Sequence, residues 1–115
     1  MIDFDTVNEI YLYPGYIKMH CGIDGLVSLV MHGLKRNPYD GSLFIFCNKA
    51  RTIVKILHFE HSGFWIYYKR FETGKIKWPM SYHDQCITRT DLKMLLQGMI
   101  ILQQPLPKMS AGIIA

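Results

Sequence analysis

Basic and aromatic side chains interleave between residues 35 and 78, and side chains of these two types can bind phosphates and bases. Nine of the thirteen lysines and arginines lie there against three of the nine acids, together with ten of the fifteen aromatic residues. Lysine and arginine neutralise phosphates and release counterions, and aromatic rings stack on unpaired bases. The segment therefore predicts a nucleic-acid-binding face, whose candidate residues are Lys49, Arg51, Lys55, Lys69, Arg70, Lys75 and Lys77.

The same side chains have two other possible uses. Charges can solubilise the outer face of a sheet and guard its edges, while aromatic rings fill the core. Exposed tryptophans and tyrosines can also anchor a protein interface. The candidates for such an interface are Trp65, Tyr67 and Trp78. A protein-docking domain that never touches DNA is therefore the alternative hypothesis.

Histidines and cysteines could in principle bind zinc, but their spacing matches no zinc-finger pattern. The four that would have to converge are His58, His61, His83 and Cys86. The adjacent pair His20-Cys21 has no evident acid to orient the histidine, so a catalytic thiol is not indicated. The sequence predicts no metal and no cofactor.

The carboxylates are scattered along the chain. A two-metal nuclease needs carboxylates that converge on ions about 4 Å apart. The acids that would have to converge are Asp24, Asp40, Glu72 and Asp84, of which the second and third belong to or adjoin predicted turns. Residues 22–25 (GIDG) lack the lysine and the spacing of a phosphate-binding loop. The sequence therefore predicts no enzymatic activity, and a nuclease is the weakest alternative.

Chain length and cysteine usage predict one cytoplasmic domain. A chain of 115 residues, half of them hydrophobic, can form a single domain with its own core. Three widely spaced cysteines without a C-x-x-C pair fit a reducing compartment. The N-terminus does not resemble a signal peptide, and no apolar run reaches about 18 residues. The domain is predicted to span residues 1–102, and residues 103–115, which begin QQPLP, to form an extended or disordered tail.

Hydrophobic spacing predicts the elements that position these residues. Residues 10–13 predict a short strand, stopped by Pro14-Gly15. A helix should follow, since apolar residues recur at helical spacing, at Ile23, Leu26, Val27, Val30 and Leu34. Gly33 is a candidate for the end of that helix. Residues 37–41 (NPYDG) predict a turn.

Three strands are predicted next, over residues 42–47, 53–60 and 63–70, the last two forming a hairpin around His61-Ser62. With a two-residue loop, position 60 faces 63 and 55 faces 68, unless a bulge at Gly63 shifts the register. One face then carries the odd positions of the first strand and the even positions of the second, including Lys55 and Arg70. A turn at Thr73-Gly74 and a short strand over residues 75–78 complete this region.

The last helix has the clearest local signal. Thr88 can cap it, with Asp91 three residues on and Ile87 and Leu92 in the hydrophobic-staple positions. Its apolar stripe comprises Leu92, Leu95, Leu96 and Met99. The predicted fold is α+β: a small, mainly antiparallel sheet of three to five strands, with one helix before it and one after it.

Several motifs resemble one family. Residues 19–26 (MHCGIDGL) are similar to its M-R-K-G-[IF]-D-G-L, and residues 41–46 (GSLFIF) to part of its D-P-x-x-G-x-L-F-V-F. Residues 68–79 (YKRFETGKIKWP) resemble Y-K-R-L-E-x-G-x-F-x-W-P, and the helix around LLQG resembles its closing L-x-x-L-L-x-G. The family is the TnpB-like small accessory protein of insertion-sequence-66-type elements, and the resemblance covers residues 10–98.

The resemblance implies a non-catalytic role in DNA transposition, because a separate, larger transposase cleaves and joins the strands. It implies element-end DNA and the cognate transposase as partners. One departure stands out: His20-Cys21 replaces the family's Arg-Lys. Either that pair contacts DNA in the family and this chain has lost the contact, or the pair only caps the helix. Lys69 and Arg70 are retained.

Overall fold

Five consecutive apolar residues, Leu43–Cys47, form a strand buried on both faces, and the fold is arranged around it. The computed structural model describes residues 7–79 and 86–98. Its sheet has the order β1-β2-β3-β4, with bounds Ile10–Leu12, Leu43–Cys47, Ile53–Glu60 and Gly63–Arg70. β1 pairs parallel with β2, and the other pairings are antiparallel. The predicted α+β class and the mainly antiparallel sheet are confirmed.

The β3–β4 hairpin has the predicted register. His61 and Ser62 have φ values of 50° and 68°, as the two central residues of a type I′ turn require. Glu60 pairs with Gly63 and Lys55 with Tyr68, so Gly63 carries no bulge that shifts the pairing. Successive side chains therefore alternate between the two faces as expected from the sequence.

Helix α1 covers one face of the sheet. It is α-helical over Ile23–Ser28 and continues as a π-helix over Leu29–Leu34. Leu26 and Val30 pack in one cluster with rings and side chains from β2 and β3. The helix ends at Lys35, which has a left-handed φ of 58°, so the alternative end at Gly33 is wrong. Gly33 instead makes room for Tyr13, because a Cβ there would lie 2.9 Å from the Tyr13 ring.

Helix α2, Arg89–Leu96, covers the other face. The capping box is confirmed: Thr88 Oγ1 accepts a hydrogen bond from the Asp91 amide at 3.0 Å, and Asp91 Oδ2 accepts one from the Thr88 amide at 3.3 Å. Leu92 and Leu95 are fully buried in one cluster with residues of β1, β2 and β3. The sheet thus has a helix on each face, in agreement with the predicted helices before and after it.

The strand predicted over residues 75–78 does not form. This segment instead runs across the end of the sheet, from the β2–β3 turn towards the end of β1. The Ile76 amide donates to Arg51 O at 3.0 Å, Trp78 Nε1 donates to Tyr13 O at 2.8 Å, and the Gly15 amide donates to Pro79 O at 2.9 Å. A crossing segment meets each strand only once, so no ladder can form. We name residues 75–79 the strap.

Some predictions concern residues outside the described parts of the chain. The tail at residues 103–115, Met99, His83 and Asp84 all lie there. In the parts that are described, no helix is both long enough and apolar enough to span a membrane.

Burial of Cys47 in β2 gives a prediction about thiol reactivity. Burial raises the pKa of this thiol from 9.0 to about 12. Between pH 9 and about 12 the thiol ionises in the unfolded chain but stays protonated in the folded protein. The free energy of unfolding therefore keeps its full value below pH 9 and falls as the pH rises towards 12. Since the thiolate is the nucleophile, we expect Cys47 to resist alkylation at about pH 8.5 while Cys21 and Cys86 react.

Intact-mass spectrometry during alkylation measures this. Two thiols should be modified quickly in the folded protein and all three in denaturant. Modification of Cys47 in native buffer at the rate of Cys86 would contradict the burial of β2.

Candidate functional site

The β2–β3 turn is built on the side chain of Asn48, which is buried. Its Oδ1 accepts hydrogen bonds from the amides of Thr52 and Ile53, both at 2.9 Å, and its Nδ2 donates to Thr52 Oγ1 at 3.2 Å. Arg51 takes a left-handed φ of 61° inside this turn, and its amide donates to Asn48 O at 3.0 Å. One side chain thus fixes the loop that presents Lys49 and Arg51.

Three further segments meet at this end of the sheet. Ile17 pairs with Asn48, which brings the following residue, Lys18, to the turn. β4 ends here as well, because the Phe71 amide donates to Thr52 O at 2.7 Å, and the strap lies against Arg51. We name the resulting surface the basic end; its cations are Lys18, Lys49, Arg51, Lys69, Arg70, Lys75 and Lys77.

The basic end includes six of the seven predicted DNA-binding residues. Lys18 lies outside that predicted set because it is some thirty residues away in sequence and arrives only through the pairing of Ile17 with Asn48. Lys18 can be placed at this end of the sheet only once the parallel pairing of Ile17 with Asn48 is known. The segments that form this end contain a single acid, Glu72.

The cations of the basic end differ in how far they are already engaged. Arg70 Nε donates to Glu72 Oε2 at 2.8 Å, and this hydrogen bond raises the pKa of the guanidinium. Lys75 Nζ donates to Ala50 O at 3.0 Å. Lys69 Nζ donates to Leu96 O at the end of α2. Lys49 and Lys77 are exposed, and no described residue forms an ion pair or hydrogen bond with their ammonium groups.

The basic end curves around the sheet. Lys69 and Arg70 are neighbours in β4, so their side chains lie on opposite faces. Lys69 is on the α2 side, with its ammonium 5.1 Å from the Phe71 ring centre. The turn and the strap fill the end between the two faces. The positive charge therefore surrounds one end of the domain, without forming a stripe along one face.

Lys55 does not belong to the basic end. Its side chain is only 8% exposed, and its Nζ donates to the backbone carbonyls of Met19 and of Cys21, the latter at 2.9 Å. The ammonium also lies 6.0 Å from the Tyr68 ring centre. The Lys55 charge holds the loop before α1 against the sheet, and this role is invisible in the sequence because the partners are main-chain atoms 34 and 36 residues away.

The three predicted interface aromatics separate into two groups. Trp78 is 7% exposed and packs in the core under α2, so we leave it out of the candidate interface. Trp65 is 52% exposed, and its ring stacks on Tyr67 with centres 6.0 Å apart and planes 22° apart. Trp65 Nε1 donates to Glu60 Oε1 at 3.2 Å. This pair lies on β4 between the hairpin turn and the basic end.

The two histidines of the hairpin region differ in burial and in the groups they contact. His58 is buried, with Nδ1 3.4 Å from Ser42 O, while His61 lies at the exposed turn, with Nε2 3.8 Å from Glu60 Oε2. No group of three or more potential metal ligands occurs among residues 7–79 and 86–98. His83, the third histidine of the zinc alternative, lies outside those residues.

These features define a small α+β domain with a basic end and a separate exposed aromatic pair. The model of the IS66 Orf2 like protein family matches residues 8–105, and the chain belongs to this family. The resemblance drawn from the motifs is therefore confirmed. The family is that of the accessory proteins of IS66 insertion sequences, which gives the chain a role in transposition.

Two curated relatives come from Sinorhizobium fredii (strain NBRC 101917 / NGR234). The uncharacterized protein y4hO is 30% identical over 91 residues, which cover 78% of this chain and 79% of the relative. The uncharacterized protein y4jC is 34% identical over 58 residues, half of each chain. No solved structure matches the chain.

The contacts of Lys55 predict a loss of stability without a change at the basic end. In Lys55→Met the carbonyls of Met19 and Cys21 lose their donor, which should lower the free energy of unfolding by about 1–3 kcal/mol. Urea denaturation followed by tryptophan fluorescence measures the change. Lys49→Met is the matched control and should stay within about 0.5 kcal/mol of the parent. Equal stability of the two variants would contradict the structural role of Lys55.

Proposed function

We propose that the protein is a non-catalytic accessory factor of IS66-type transposition that binds DNA through the basic end. The observation that supports this most is the convergence of seven cations from four separate segments, which contain one acid, at one end of the sheet. Phosphate neutralisation requires such a concentration of positive charge, and folding alone does not. The compartment expected for this role is the cytoplasm.

The shape of the basic end favours contact with the DNA backbone. Four strands spaced about 4.8 Å apart give the end a width of roughly 15 Å, which matches the rise of about four base pairs. The cations lie on turns, a strand end and the strap, and none lies on a helix that could enter the major groove. We therefore propose binding that depends on phosphates and little on base sequence.

Charge removal at the two unengaged lysines tests this proposal. The Lys49→Gln/Lys77→Gln variant should bind duplex DNA more weakly, by about tenfold for each lost contact near 0.1 M salt, and should lower the slope of log K against log salt by about two. Fluorescence anisotropy with labelled duplexes at several salt concentrations measures both quantities. Element-end and unrelated sequences should respond alike.

The control is Lys35→Gln, which removes an exposed lysine at the end of α1, outside the basic end. The chain continues from there to Tyr39, whose ring packs on Phe64 of the hairpin. The affinity of the Lys35→Gln variant should match that of the parent chain. Equal weakening in Lys35→Gln would mean that only net charge matters. Unchanged binding in the double variant would remove the basic end as the DNA site.

A protein-docking adaptor is the second candidate, favoured by the exposed stack of Trp65 on Tyr67. Tryptophan and tyrosine are enriched among residues that dominate binding energy. In this alternative the chain would dock on the cognate transposase without touching DNA. The two candidates use different surfaces, since the stack lies along β4 away from the β2–β3 turn.

Pull-down of the transposase after nuclease treatment tests the adaptor. Trp65→Ala should reduce capture by about tenfold or more, because loss of an anchor residue costs about 2 kcal/mol. Tyr39→Ala is the control, since Tyr39 is similarly exposed but packs on Phe59 and Phe64 on the other face. Capture that requires DNA, or that is equally weak in both variants, would count against this docking surface.

A further inference from the structure

The two edges of the sheet differ in the described part of the chain. The outer edge of β1 is paired: Tyr11 bridges to Cys86, and the Ile87 amide donates to Ile10 O at 3.0 Å. No described residue pairs with the outer edge of β4, although this strand has eight residues and contains neither proline nor a register-shifting bulge. Such an edge is a template for another strand.

The hairpin register shows which main-chain groups of β4 point outward. In a two-residue hairpin Glu60 and Gly63 form a hydrogen-bonded pair, and such pairs alternate along the ladder. The hydrogen bond from the Phe71 amide to Thr52 O fits this alternation. The residues whose N–H and C=O groups point away from β3 are therefore Phe64, Ile66, Tyr68 and Arg70.

We propose that the β4 edge pairs with the β4 edge of a second copy of this chain, antiparallel, around a two-fold axis at Tyr67. The complementary charges and rings of β4 favour a second copy as the occupant. The strand carries cations at one end, Lys69 and Arg70, and the Trp65 ring near the other, where Trp65 donates a hydrogen bond to Glu60 of β3. Antiparallel pairing of two copies places each cationic end against the aromatic end of its partner.

One register satisfies the outward groups and the side chains together. With Tyr67 opposite its own copy, Phe64 faces Arg70 and Ile66 faces Tyr68, so the outward N–H and C=O groups form hydrogen-bonded pairs. Trp65 then faces Lys69 on the α2 side. Cross-strand pairs of cations with aromatic rings are favourable. The contact is self-complementary, as a two-fold interface must be.

Other registers are less favourable. A two-fold axis at Ile66 or Tyr68 also pairs the outward main-chain groups, but Trp65 then no longer faces Lys69. A two-fold axis at Lys69 would place two lysines opposite each other, and like charges in directly opposed positions are destabilising. An axis at Trp65 would move Lys69 beyond the end of the partner strand, opposite the turn residue His61. The axis at Tyr67 keeps residues 64–70 of both copies paired and separates the two lysines.

The experiments for this inference need neither DNA nor the transposase, because they use the purified chain alone. The contact itself shares Lys69 and Arg70 with the basic end and Trp65 with the alternative docking surface. A single strand pair buries less than the roughly 1,200 Å² of a standard stable interface, so we expect a weak dimer with a Kd in the micromolar range or above. The predicted dimer would contain an eight-stranded sheet. The basic-end cations that lie off β4 would stay outside this strand pairing in each copy; they are Lys18, Lys49, Arg51, Lys75 and Lys77.

The first experiment is sedimentation equilibrium together with amide hydrogen exchange by NMR, over about 1 µM to 1 mM chain. The full chain should pass from monomer to dimer. The outward amides of Ile66 and Tyr68 should exchange rapidly when dilute and become protected as the dimer forms. A monomer at all concentrations would overturn the proposal, and so would protection of these amides in the monomer, which would mean that the chain covers its own edge.

A pair of substitutions at one exposed position tests the register. Trp65→Lys places a cation opposite Lys69 of the second copy and should raise the dimer Kd about tenfold. Trp65→Glu places an anion there and should leave the Kd near or below that of the parent. Equal effects of the two variants, or none, would overturn the proposed register and its contact.

Tyr68→Pro removes an outward N–H that does not serve the ladder with β3 and should abolish dimerisation. Far-UV circular dichroism shows whether this variant folds. If it does not fold, the comparison of Trp65→Lys with Trp65→Glu decides the proposal. A folded Tyr68→Pro variant that still dimerises would place the contact on another surface and overturn the proposal.

Discussion

The hydrogen bonds of the buried Asn48 side chain fix the end of the sheet on which the candidate DNA site depends. Its amide oxygen holds the amides of Thr52 and Ile53, which sets where β3 begins. The neighbouring main chain then receives β4 through Thr52 O and the strap through Arg51 O. The positions of all the basic-end segments thus follow from one turn, and a side chain without charge organises the most charged part of the molecule.

Several lysines of this protein bind main-chain carbonyls. Lys55 holds the loop before α1, Lys69 caps the last turn of α2, and Lys75 joins the strap to the β2–β3 turn. A cation near a helix C-terminus also interacts favourably with the helix dipole. These contacts differ in burial, so the charges differ in availability: that of Lys55 is enclosed, whereas Lys69 and Lys75 remain exposed and can serve the fold and an anion together.

Local signals in the sequence predicted the elements well. The hairpin register follows from a two-residue loop, and the capping box follows from Thr88 and Asp91, because each depends on residues within a few positions of one another. The conformation of residues 75–78 depends instead on partners distant in sequence. Their alternating apolar residues suit a strand, but the segment crosses the end of the sheet and has no strand alongside it to pair with. Trp78 is buried and Lys55 enclosed for the same reason, since their partners, Tyr13 and the carbonyls before α1, are distant in sequence.

The contacts of Lys55 also bear on the replacement of the family's Arg-Lys by His20-Cys21. Lys55 binds the main-chain oxygens of Met19 and Cys21, which exist whatever side chains stand at positions 20 and 21. The loop can therefore keep its place on the sheet after this replacement. The Cys21 thiol also packs close to Gly25, where an added Cβ would lie 2.6 Å from the sulfur. The replacement thus changes the charge of the loop while its main-chain anchor remains, so the altered motif alone is no sign of a damaged fold.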